Sequence, residues 1–307
     1  SREWLSLGGG DCVSIDRTAG FMFDLLRDEL VEDQRQYIRG CRDVHPADCI
    51  LTPTCGISSV LRFRELNGYP VLVTTEHPHG VPGLGDADSA RVRRWLQLCH
   101  RCCVHARYVF DNGGNFIIEA PPCRSSAVGP FAEFCGKNKD GEVKFPLHYT
   151  IWQTPSFLAL ADHCNLRFMH LYSCYFTDRH QSVSDGAQKI YSFAYTPSLA
   201  TAFGPVDEIC RCTHVTHRAS IVGPGNSGAS ARYPDDVYGI LARGLMYPDR
   251  PAWIDAIETC AVEIDAEPRG LVADRRPQNV PAIAATRAVG VGAKVSLTSK
   301  RIHDRFD

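Results

Sequence analysis

No apolar run in this 307-residue chain approaches the roughly 18–20 residues that a spanning helix needs, which argues against an integral membrane protein. No signal-peptide pattern stands at Ser1-Arg2-Glu3-Trp4. Excess charge is missing too: 33 Lys and Arg meet 35 Asp and Glu, so no global basic field advertises nucleic-acid binding, and a groove for DNA would have to be local. Internal repeats and low-complexity tracts are absent. The 14 cysteines lack the spacing of a disulfide scaffold. Several fall inside expected helices or apolar strands (Cys49, Cys99, Cys102, Cys103, Cys164, Cys174), where a free thiol acts as a small hydrophobe. That usage predicts a reducing compartment, nucleus or cytoplasm.

What is present reads as an α/β enzyme-sized domain. The opening predicts a short helix from Arg2 to Leu7, then Gly8-Gly9-Gly10, then a strand from Cys12 to Asp16. Apolar residues at helical spacing predict a surface helix over Phe21 to Tyr37. Cys49, Ile50 and Leu51 predict a short buried strand that breaks at Pro53. The Pro- and Gly-bearing stretch from Glu76 to Gly85 must be loop, and Asp86 or Asp88 is a candidate cap for a helix from about Ser89 to Tyr108. A strand over Asn115 to Ile118, an inserted loop over 121–147, and a helix over Pro155 to Cys164 come next. Strands over Arg167 to Tyr172 and Lys189 to Tyr195 follow. Trp152 is expected in the core, just before a helix start at Thr154-Pro155. Strands separated by helices predict a parallel or mostly parallel sheet with helices on both faces. Residues 1–268 read as one domain and 269–307 as an extended carboxyl-terminal arm, one route to a homo-oligomer.

Two positions carry the chemistry. Cys55 lies in the loop just past an apolar strand, and Glu119 ends the run Phe116-Ile117-Ile118-Glu119. Open α/β sheets place their ligand crevice at the carboxyl ends of strands. A thiol there is placed for covalent catalysis if cationic or dipolar help lowers its pKa, the alternative being a buried structural cysteine.

Thr52-Pro53-Thr54-Cys55-Gly56-Ile57-Ser58-Ser59 resembles the proline-cysteine loop of the cytosine-5 DNA methyltransferases, and Ile118-Glu119-Ala120-Pro121 resembles their glutamate motif. Gln188-Lys189-Ile190-Tyr191-Ser192-Phe193 resembles their later Gln-x-Arg strand. The run from His77 to Leu84 with Arg91 and Arg93, Ile151-Trp152-Gln153-Thr154-Pro155, and the Cys210 to His217 cluster before Tyr233-Pro234 resemble elements of a divergent form. That form is the methyltransferase-like domain of some eukaryotic retroelement polyproteins. The resemblance spans residues 12 to 245 and implies a three-layer α/β sandwich of the Rossmann-like, S-adenosylmethionine-dependent methyltransferase fold. It implies Cys55 as nucleophile at C6 of a flipped cytosine and Glu119 holding N3. It further implies Asp16, Asp48 and Pro53 on the cofactor side, and Ser58, Arg91, Arg93, Gln188 and Lys189 toward DNA or RNA. Two departures stand out. Thr54 separates Pro53 from Cys55, and no Phe-x-Gly-x-Gly loop precedes Asp16, as if the first strand were lacking and Trp4 to Gly10 were the helix that follows it.

Cys210, Cys212, His214 and His217 place four soft ligands within eight residues, a candidate zinc set tighter than usual zinc spacings. The plain alternative is a polar strand and turn with incidental cysteines. His77 and His79 could face the crevice or simply be solvated loop. The basic helix face of Arg91, Arg93, Arg94, His100 and Arg101 could contact a phosphate backbone or simply be solvated surface. Gly223 to Gly228 lacks the Lys and helix of a phosphate cradle. Two rival functions remain. One is an inactive methyltransferase-like scaffold that binds or assembles; the other is a thiol hydrolase pairing Cys55 with His77 or His79.

Overall fold

The structure is a computed structural model. It describes residues 28–41, 46–63, 69–178, 183–184, 189–217 and 234–252, with the short paired strands 285–286 and 295–296. The expected opening helix, the Cys12 to Asp16 strand, the Gly223 to Gly228 loop and nearly all of the 269–307 arm lie outside the described residues.

Helix α1 spans Asp28–Cys41, running past its expected end because Ile38 supplies a buried anchor. Strand β1 is Cys49–Leu51, helix α2 Asp86–Asp111, strand β2 Phe116–Ala120, helix α3 Pro155–Cys164 and strand β3 Arg167–Tyr172. Short helix α4 (Ser173–Asp178) and strand β4 (Val183–Ser184) lead to strand β5 (Ile190–Tyr195). Helices α5 (Ala200–Phe203) and α6 (Val206–Ile209), strand β6 (Thr216–His217) and helix α7 (Asp235–Met246) follow. The last strands, β7 (Ala285–Thr286) and β8 (Val295–Ser296), pair antiparallel with each other.

Four strands form a mixed sheet in the order β1-β2-β5-β3. β1 and β2 are parallel, Cys49 opposite Phe116, while β5 runs antiparallel to both β2 and β3. The expectation of a mostly parallel sheet is therefore corrected. A reversed β5 has a consequence for chemistry. Its amino end lies on the same rim as the carboxyl ends of β1, β2 and β3, so one edge of the sheet collects residues from all four strands.

Strand alternation sorts β2 between two cores. Phe116, Ile118 and Ala120 pack with Trp95 and Cys99 of α2 and Phe157 of α3, while Ile117 joins Met169, Phe193 and the residues of α5, α6 and α7. Helical residues thus cover both faces. β5, held between two neighbours and covered on both sides, is buried along almost its whole length. The free edge of β3 is closed by other means: the His170 N–H donates to Asp207 at 2.6 Å and the Tyr172 N–H to the Cys210 carbonyl at 3.4 Å.

Local chemistry sets the element ends. Thr154 caps α3 by accepting from the Phe157 N–H, Pro155 opens it, and Asn165 closes it in a left-handed conformation at φ 52°. The residue capping α2 is Gly85, with no side-chain hydrogen bond; Asp86 and Asp88 sit in the first turn, where they favour the helix dipole. Cys99, Cys102 and Cys103 form the buried stripe of α2, and burial pushes the Cys103 thiol up to about 12. The 121–147 insertion is not a loose loop. Phe131 and Phe134 pack edge-on against His170, whose ring bridges the Ser192 hydroxyl at 2.9 Å and the Pro130 carbonyl at 3.0 Å.

Candidate functional site

The rim created by the reversed β5 brings together three groups predicted from sequence. Cys55 follows β1, Glu119 lies near the end of β2, and Lys189 immediately precedes β5. Glu119, opposite Phe193, shares its sheet face with Tyr191, and the Lys189 ammonium sits 4.6 Å from the centre of the Tyr191 ring. Each group feels the others. Burial pushes the Cys55 thiol above its ordinary pKa, the Glu119 charge pushes it further, and the Lys189 charge opposes both. Burial lowers the Lys189 pKa, while Cys55 and Glu119 hold it up. Cys55 is exposed as a residue, yet desolvation of its thiol outweighs the charges around it. Glu119 is 9% exposed. With its pKa held above the ordinary thiol value, Cys55 rests as the protonated thiol.

The loop that carries Cys55 is braced from beneath. Ser58 is buried, and its hydroxyl donates to the Cys55 carbonyl at 3.5 Å. This placement corrects the expectation of a nucleic-acid contact: Ser58 positions the loop. His148, fully buried, accepts from the Arg124 N–H at 3.0 Å through Nδ1, so Nε2 carries the proton it donates to the Ser58 carbonyl at 2.9 Å. Arg62 donates to the Gly56 carbonyl at 2.6 Å and the Pro70 carbonyl at 2.8 Å. Neither His148 nor Arg62 was marked by the sequence, since each reaches the loop through the tertiary fold. Burial lowers the Arg62 pKa, and the nearby Arg91 lowers it further, so these two cations stand close together beside the Cys55 loop.

Arg91 and Arg93 are exposed on α2, with Arg91 paired to Asp88 at 2.8 Å. Arg91 is the one that neighbours the loop. Gln188 and Asp16 lie outside the described residues. Asp48 is corrected: it stands at the amino end of β1, on the opposite rim from Cys55, and accepts the Asn115 N–H at 2.6 Å. Burial raises its carboxyl to about 6. That bond pins the entry of β2 beside β1, where Gly114 comes so near Ala47 that a Cβ would lie 2.0 Å from its carbonyl oxygen. Pro53 is buried. Of the three residues that the resemblance assigns to S-adenosylmethionine, Asp16 lies outside the described residues, Asp48 is engaged by Asn115 and Pro53 is buried. His77 and His79 are exposed on a turn closed by the Gly80 N–H to the His77 carbonyl at 3.1 Å.

The Cys and His cluster is assembled differently from its expected form. Cys210 is 2% exposed within the apolar cluster behind the sheet and does not join it. Cys174, at the start of α4, takes its place, and the ligand atoms of Cys174, Cys212, His214 and His217 all lie within 4.8 Å of one another. Cys210 is taken up by the apolar cluster, so the fourth ligand comes from across the fold. No sequence spacing announces Cys174. Among the described residues no helix is long and apolar enough to cross a membrane. No family model, curated protein or solved structure matches the chain.

Proposed function

We propose that this chain is a cytosine-5 methyltransferase-like protein that engages a base of DNA or RNA at the Cys55 rim, with Cys55 the nucleophile toward C6 and Glu119 the acid facing N3. The observation that carries the reading is the convergence of the Cys55 thiol, the Glu119 carboxyl and the Lys189 ammonium at the strand ends. Helical cover on both sheet faces supports a Rossmann-like methyltransferase fold. Cys55 needs to lose a proton and N3 needs to meet an acid, and the two requirements answer each other. The thiol proton passes to the adjacent carboxylate, which then donates toward N3. That transfer removes the anion opposing thiolate formation and leaves the favourable Lys189 charge. The thiolate adds to C6, the C5–C6 electron pair moves toward C5, and the hydrogen-bonded N3 accommodates the developing charge. Arg62 and Arg91 place positive charge beside the loop, where a strand backbone would lie.

A test independent of the methyl donor follows from the addition step. An adduct at C6 lets C5 take up a deuteron from D2O, and expulsion of the C5 proton and the thiolate returns cytosine with deuterium at C5. Incubation with cytosine-containing oligonucleotides, read by mass spectrometry, is expected to show this exchange with the native chain and not with Cys55→Ala. No exchange by the native protein, with DNA or with RNA, overturns the catalytic reading.

One observation favours a second reading. The resting Cys55 thiol is held neutral and Asp48 is tied into the strand frame, as befits a methyltransferase-like scaffold that binds or assembles without turnover. That reading expects tight nucleic-acid or self-association with no C5 exchange, and no loss of association in Cys55→Ala. The hydrolase reading finds no support: the charged groups acting on Cys55 are Glu119 and Lys189, while His77 and His79 lie exposed on their turn.

A further inference from the structure

The cluster of Cys174, Cys212, His214 and His217 lies apart from the chemistry proposed at Cys55, and its four ligand atoms come from three places in the fold. Cys174 is the second residue of α4, just past the end of β3, Cys212 and His214 lie in the segment after α6, and His217 ends β6. Two of the separations match a coordination shell, and all four ligand atoms lie within 4.8 Å of one another. The Cys212 Sγ is 3.5 Å from the His214 Nδ1 and 3.4 Å from the His217 Nε2. In a tetrahedral zinc centre, Zn–S of about 2.3 Å and Zn–N of about 2.0–2.1 Å put sulfur and nitrogen about 3.5 Å apart. Cys174 is buried and the other three residues are half-buried, so an ion here would be screened from bulk solvent without a deep cavity.

From this geometry we propose that Cys174, Cys212, His214 and His217 form a closed, tetrahedral zinc site whose role is structural. Two thiolates and two imidazoles suit a divalent ion with no geometric preference of its own, and four protein ligands leave no open position for a substrate. The ion ties the carboxyl end of β3 to the segment after α6, two regions otherwise linked there by the Tyr172 N–H to the Cys210 carbonyl. It also lies next to the catalytic rim. Ser173, the neighbour of Cys174, donates its N–H to the Lys189 carbonyl at 2.8 Å and receives the Lys189 N–H at 3.4 Å. Zinc therefore anchors the backbone from which Lys189 reaches Cys55 and Glu119.

The test is metal content of the full chain, purified without chelator and read by elemental mass spectrometry, with cobalt(II) substitution for geometry. About one zinc per chain is expected. Cobalt should give the intense visible bands of a tetrahedral centre together with a thiolate-to-metal charge-transfer band. Cys174→Ser and His217→Ala are each expected to lose the ion, whereas Cys210→Ala keeps it. Should the loss variants fail to fold, His217→Cys decides, since a third thiolate is expected to retain the ion and strengthen the charge-transfer band. Absence of metal from the native chain overturns the proposal, as does a Cys174–Cys212 disulfide in its place. Retention by soluble Cys174→Ser, loss only in Cys210→Ala, or an octahedral cobalt spectrum overturns it too. None of these readings depends on what Cys55 does.

Discussion

Lowering the pH should loosen the Cys55 loop through one imidazole. His148 is fully buried, holds the Ser58 carbonyl with its Nε2 proton, and needs a bare Nδ1 to accept the Arg124 N–H. Burial lowers its pKa to about 4, and the Arg124 charge lowers it further against the opposing pull of the Ser58 bond. A folded pKa below the unfolded value of about 6.5 means the unfolded chain takes the proton first. The contribution of the neutral imidazole is complete above about pH 6.5, declines as pH falls, and changes no further below about pH 4. A gap of about 2.5 pH units corresponds to about 3 kcal/mol in all, of which about 2 kcal/mol is lost by pH 5. Urea unfolding of the native protein and of His148→Gln at about pH 7.5 and pH 5 isolates the effect, because Gln keeps a donor toward Ser58 but cannot titrate. His105, also lowered to about 4, and Asp48, raised to about 6 with the opposite sign, contribute equally to both proteins and cancel. The native protein should lose about 2 kcal/mol more than the variant between the two pH values. Equal losses would refute the assignment of a neutral, doubly bonded His148.

Lys189→Met should move the pH midpoint for alkylation of Cys55 upward, because it deletes a positive charge that favours the thiolate; an unchanged midpoint in an iodoacetamide titration would break the link between the two. Gly244→Ala sets a Cβ 2.1 Å from the Phe203 ring and should cost about 1–3 kcal/mol in chemical denaturation, with Phe203→Leu restoring part of it. Thr154→Ala removes the cap of α3 and should cost about 1 kcal/mol, whereas Thr154→Ser should cost far less. Asp48→Asn should raise stability at neutral pH, since it avoids ionising a buried carboxyl, while leaving C5 exchange intact; a loss of exchange would return Asp48 to the site.

Where local pattern governs, the chain was legible. The helix expected around Pro155–Cys164 and the strand expected over Arg167–Tyr172 are both found there, because a Thr-Pro start and a run of strand formers are local signals. Trp152 was expected inside and lies at 3% exposure. The cap of α2 lies at Gly85, one residue before Asp86 and three before Asp88, because a glycine there offers no side chain to recognise. The direction of β5 was missed for a different reason. Alternation and burial look the same in a strand read either way, and what decides its sense is the segment joining it to β3.

From residue order alone came the candidate thiol and carboxyl, since a polar side chain at or just past the end of an apolar strand is a short-range statement about Cys55 and Glu119. Partnership needed the fold. Lys189 becomes the third member of that group only because β5 is reversed, His148 and Arg62 only because distant segments close under the loop, and Cys174 only because α4 begins beside the segment after α6. Short-range sequence encodes which residues can do chemistry; convergence from separate strands is a property of how the sheet is ordered, and packing of both its faces settles that order.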